Sequence, residues 1–178
     1  MAPKASSVLD EIVAVYRLER DLLTIAARAI RKTAQPYLVG TGFVGRTVTD
    51  SQNDVERLRS RLDEMTVVAL WIEFERFLVN HVLSQLHVLG TAPPPFDVQL
   101  GAHVEHQIEF SRFDDLLDLY KGWIDSNHIG NVKQIKDYRD WVSHRNPKRP
   151  TPAKVDPAQA RAILGNVMDA IAPSSARS

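Results

Sequence analysis

Apolar residues recur at three- and four-residue steps from Leu9 through Ile12, Tyr16, Leu23, Ala26 and Ile30, which describes one face of a helix. The spacing predicts a first helix over residues 7–34, stopping before Pro36 because the residue preceding a proline is driven out of the α region. Gly40, Gly42 and Gly45 then open a loop, and residues 50–54 offer several N-cap side chains. A second helix is marked by Val55, Leu58, Leu62, Met65, Ala69 and Ile72, and continues through Phe74, Leu78, Val82 and Leu86. Its length of about 35 residues to Leu89 implies roughly 50 Å at a rise of about 1.5 Å per residue. Such a helix suits the spine of a bundle or a dimer interface. Residues 93–95, all proline, break the pattern. Phe113, Leu116, Leu117, Tyr120 and Ile124 predict a short third helix, and residues 127–131 a turn around Gly130. Val132, Ile135, Tyr138, Trp141 and Val142 predict a fourth helix halted near Asn146 and Pro147. Asp156 and Pro157 read as N-cap and first residue of a last helix reaching about Ile171. Alternating strand-type runs are nearly absent, so the expected fold is an all-α bundle of about five helices with one long second helix.

A length of 178 residues, 44% apolar and 25% charged, fits one globular domain with a real core. Lys and Arg number 22, as do Asp and Glu, so bulk charge favours neither nucleic acid nor membrane. The absence of cysteine excludes disulfides, thiolate zinc cages and a Cys nucleophile. No apolar run is long enough to span a membrane, and acidic residues interrupt the N-terminal apolar stretch, so a cytoplasmic chain without a secretory signal is expected. Locally the charge is uneven. Residues 50–120 hold five basic and thirteen acidic residues, whereas residues 121–154 hold eight basic and three acidic. The basic segment can steer an anionic ligand, or the signs can scatter over solvated helix faces.

Gly40, Gly42 and Gly45 match a dinucleotide fingerprint in spacing alone, with no strand before them, and read as an inter-helix loop. His103 and His106 stand three apart and His81 and His87 six apart, without a convincing further ligand, so no metal site and no cofactor are expected. Glu75, inside the second helix's apolar run, is either part of a solvated stripe or a supporting group turned inward. Arg139, Asp140 and His144 place a guanidinium, a carboxylate and an imidazole at one helix end. Asp140 and His144, four apart, are expected to meet and to favour the charged ring. Arg139 lies about 140° around an ideal helix from His144. Arg145, Asn146, Lys148 and Arg149 follow at once as candidate phosphate-binding groups.

Arg139-Asp140-x-x-x-His144 resembles the Arg-polar-x-x-x-His motif of the HEPN superfamily (higher eukaryotes and prokaryotes nucleotide-binding domains), which lies late in a helical bundle, as here. Trp71-x-x-Phe74-Glu75 is also similar to that family's second helix. The resemblance implies a HEPN-like domain over residues 1–146, with residues 147–178 forming a basic linker and a C-terminal helix on the same domain. It further implies a metal-independent endoribonuclease, often a toxin or defence effector, working as a homodimer whose two motifs face one cleft. His144 would be the acid/base, Arg139 the phosphate contact and Asp140 the polar residue of the motif. One sub-group carries, two residues after the histidine, a tyrosine that a nucleotidyltransferase antitoxin modifies; Asn146 stands there in this chain. RNA and a cognate antitoxin are the implied partners, and non-catalytic HEPN domains that bind RNA, nucleotides or proteins give the alternative.

Overall fold

The computed structural model describes residues 4–32, 35–89, 112–145 and 147–172. Among these residues there are six helices and no strand: α1 (Ser7–Arg31), α2 (Gln35–Leu38), α3 (Val48–Leu89), α4 (Phe113–Asp118), α5 (Ser126–His144) and α6 (Pro157–Ile171). The protein is an all-α bundle. His103, His106 and Asn146 lie outside the described residues, as does the side chain of His87.

The 42-residue α3 is the spine, and α1, α4, α5 and α6 all pack on it. Trp71, Phe74 and Leu78 are fully buried along its length. They meet Leu117 of the α4 segment, Ile135 of α5, and Leu164 and Met168 of α6 in one continuous core. The Trp71 and Phe113 rings are tilted against each other with centroids 4.5 Å apart. A second, much smaller cluster of Ala27, Ile30 and Val55 lies under Leu23, Leu38 and Phe43. No helix among the described residues is long and apolar enough to cross a membrane.

Helix ends depart from the expected boundaries for local reasons. α1 stops at Arg31, and Pro36 sits inside the short α2 rather than past a helix end; its missing N–H is harmless in a first turn. Thr47, ahead of residues 50–54, caps α3: its hydroxyl accepts from the Asp50 amide at 3.1 Å and donates to the Asp50 carboxylate at 2.7 Å. The turn expected at residues 127–131 is absent. Asp125 instead caps α5 by accepting from the Asn127 amide at 2.7 Å, which places Gly130 inside the helix. A helical glycine costs about 1 kcal/mol, less than the burial of Ile129 and Val132 supplies. The chain reverses at Gly122, whose φ of 98° favours glycine. Asp156 accepts from the Ala158 and Gln159 amides at 2.8 and 3.2 Å and starts α6 at Pro157, as its sequence predicts.

Candidate functional site

α5 ends because Arg145 takes a left-handed conformation, φ 41° and ψ 45°, while its amide still donates to the Trp141 carbonyl at 2.7 Å. The chain then doubles back along the helix to α6. Between α5 and this returning segment lies a cleft of about 590 Å³. Asp137, Asp140, Trp141 and His144 form its helical wall, and Arg149, Pro150, Thr151 and Pro152 form the other. The i, i+3, i+4, i+7 spacing puts all four helical residues on one face.

The returning segment is fixed at both ends to neighbouring carboxylates of α3. Arg145 Nη2 pairs with Glu64, and Lys154 Nζ donates to Asp63 Oδ2 at 3.0 Å. Asp63 also accepts from the Tyr16 hydroxyl at 2.8 Å and from Arg20 at 3.2 Å. The hydrogen bond to Asp63 raises the Lys154 ammonium above its ordinary pKa. Burial, then the Asp63 hydrogen bond and charge, push the Tyr16 phenol up to about 12.

The motif residues divide between two faces of α5. His144 and Asp140 reach the cleft, and the His144 ring is exposed with no hydrogen bond or ion pair among the described residues. Arg139 turns towards α3. Its Nη2 donates to Glu75 Oε2 at 3.0 Å, its Nη1 to Asp140 Oδ1 at 2.9 Å, and its guanidinium carbon stands 5.2 Å from the Trp71 ring centroid. Its Nε is buried without a partner among the described residues. Glu75 thus faces α5 and pairs with Arg139, at the edge of the α3–α5 contact. The expected meeting of Asp140 and His144 does not form: Asp140 is held by Arg139 and by Lys136 at 3.3 Å. The carboxylate goes to two cations in reach rather than to an exposed ring, since charge-assisted hydrogen bonds are the stronger ones.

Of the candidate phosphate-binding groups, Arg149 lines the cleft and Lys148 is exposed beside it. Arg145 does not reach the cleft; its side chain pairs with Glu64 and lies over Trp141, 5.1 Å from the ring centroid. Sequence reasoning missed Asp137, whose carboxylate has no partner among the described residues, and Thr151. It also used Trp141 only to mark the fourth helix, although the indole is half-buried and borders the cleft. Its position three residues before His144 was the available signal. No group of three or more His, Cys, Asp or Glu side chains among the described residues could hold a metal ion. His81, on the far part of α3, bonds the Tyr120 hydroxyl through Nδ1 at 2.7 Å, and burial lowers its pKa. Comparison of the chain with protein-family models, curated proteins and solved structures finds no match.

Proposed function

We propose that the protein is a metal-independent endoribonuclease of the HEPN type, with His144 as its proton-transfer group. One observation carries this reading: an exposed imidazole without a partner among the described residues shares a cleft with the Arg149 guanidinium and the Trp141 indole. Imidazole changes charge near neutral pH, guanidinium suits phosphate oxygens, and a flat indole gives an unpaired base a surface to stack on. His144 takes the proton of a ribose 2′-hydroxyl, and the 2′-oxygen attacks the adjacent phosphorus. The bond to the 5′-oxygen breaks, that oxygen leaves with a proton from water, and a 2′,3′-cyclic phosphate remains. Arg149 faces the non-bridging oxygens. Arg139, occupied by Glu75 and Asp140, positions the end of α5. RNA as substrate, a homodimer, a protein antitoxin and a cytoplasmic setting belong to the same reading.

The same occupied Arg139, which leaves the motif without a guanidinium turned to the cleft, favours a second reading, a non-catalytic RNA- or nucleotide-binding module. Incubating the purified full chain with an RNA oligomer in excess chelator separates the two. Cleavage giving cyclic-phosphate ends, blocked by a 2′-deoxy substitution at the cut and lost in His144→Ala, supports the ribonuclease. Binding without cleavage by the wild type supports the module.

A further inference from the structure

α1 carries two apolar faces. Leu9, Val13, Ala27 and Ile30 are buried, whereas Val15, Leu18, Leu22 and Ile25 are 55, 66, 64 and 60% exposed. With Ala29, the exposed residues follow steps of three and four, which is the seam of a coiled coil. At about 100° per residue the seam lies roughly 160° around the helix from the buried face, so none of the described residues covers it. Towards the end of α1 the seam runs into a groove of about 550 Å³, bounded on its other side by Tyr37, Leu38 and Phe43. Among the described residues the buried cluster beneath that groove has three members, Ala27, Ile30 and Val55.

We infer that this face binds a second copy of the chain, with the two α1 helices antiparallel. Charge complementarity selects the occupant. Asp21 and Arg28 flank the seam on the same side, seven residues apart, and neither side chain has a partner among the described residues. A two-fold axis near residue 24 sets each Asp21 beside Arg28 of the second copy, giving two identical ion pairs. The same register lays Leu22 against Ile25 and lets Leu18 of the second copy enter the groove over the small Ala29. A parallel pair would instead set Asp21 against Ala26 and gain no ion pair. The pairing goes beyond the reading above, whose dimer brings two α5 motifs to one cleft, and it does not depend on RNA cleavage, because the seam belongs to α1 and the cleft to α5 and residues 149–152.

Sedimentation of the full chain at micromolar concentration tests it, with circular dichroism confirming equal helicity of the variants. The wild type runs as a dimer. Leu22→Asp with Ile25→Asp weakens association by more than about a hundredfold, as loss of a central apolar contact does. Asp21→Arg alone weakens it about tenfold by setting like charges together. Adding Arg28→Asp to Asp21→Arg returns the affinity to within about twofold of wild type, as reciprocal charge reversal of a coupled pair should. A monomeric wild type, a dimer indifferent to Leu22→Asp with Ile25→Asp, or a double charge reversal no better than the single one overturns the inference. A monomer that still cleaves RNA overturns the pairing and leaves the ribonuclease reading standing.

Discussion

Arg139 and Glu75 stand 64 residues apart in the chain and meet across the α3–α5 contact with Nη2 and Oε2 3.0 Å apart. The guanidinium serves three groups at once, bonding Glu75 and Asp140 and lying against Trp71. Arg139→Ala should lower stability by about 1–2 kcal/mol, a modest figure because the pair is partly in water. Arg139→Lys should recover less than half of that, since an ammonium cannot fork between two carboxylates. Urea denaturation checks both. If Arg139 acts on RNA only by holding α5, cleavage in Arg139→Lys should fall in step with the loss of structure, not ahead of it.

Arg145 combines a left-handed backbone with a side chain pinned to Glu64. Arg145→Gly loses the ion pair but relieves the backbone, whereas Arg145→Ala loses the ion pair and keeps the strain. The glycine variant should be the more stable by about 1 kcal/mol. Thermal melts of the two side by side would show the reverse order if the helix end simply unwinds.

His144 and Arg149 are exposed, so replacing either by alanine should move stability by no more than about 0.5 kcal/mol. Activity should part from stability. His144→Ala should slow cleavage by about 10²- to 10⁴-fold, and Arg149→Ala should weaken RNA binding more than Arg145→Ala, which acts only by loosening one end of the segment that closes the cleft. Gel cleavage and filter binding at one fixed salt concentration measure the contrast.

Tyr16 titrates near 12 in the folded chain against an ordinary value of 10.0. A raised acid pKa means that the folded state holds the proton longer, so the contribution is complete below pH 10 and drains away as pH climbs towards 12. Denaturation at pH 9 and pH 11 should show wild type losing more stability over that interval than Tyr16→Phe. Equal losses would mean that the phenol and Asp63 do not hold together in solution.

Helices with long periodic runs were legible from sequence because burial of one face imposes the period: Leu9 to Ile30, Val55 to Leu86 and the capped start at Asp156 are examples. What misled were single-residue punctuators. Pro36 reads as a stop yet occupies a first turn, and Gly130 reads as a turn although Asp125, five residues earlier, already supplies the cap. The site was legible to the extent that it is local. His144, Asp140 and Arg149 fall on one cleft as residues of a short segment would. The directions of Arg139 and Arg145 were not legible, because Glu75 and Glu64 decide them from a helix far away in sequence. Asp140 likewise had three candidate neighbours within one turn, and spacing alone could not rank Lys136, Arg139 and His144.

Asp63 and Glu64 are consecutive residues, and together they anchor Lys154 and Arg145, the two ends of the segment that closes the cleft. The aperture is therefore governed by how much chain is strung between two fixed posts on a rigid helix. Lengthening such a loop adds only a slowly growing entropic cost, about 0.6 kcal/mol for each doubling. Insertions or deletions among residues 148–152 would widen or narrow the opening while the bundle behind it keeps its shape. In this architecture the size of what can enter is a matter of loop length, adjustable without touching a single residue of the helical core.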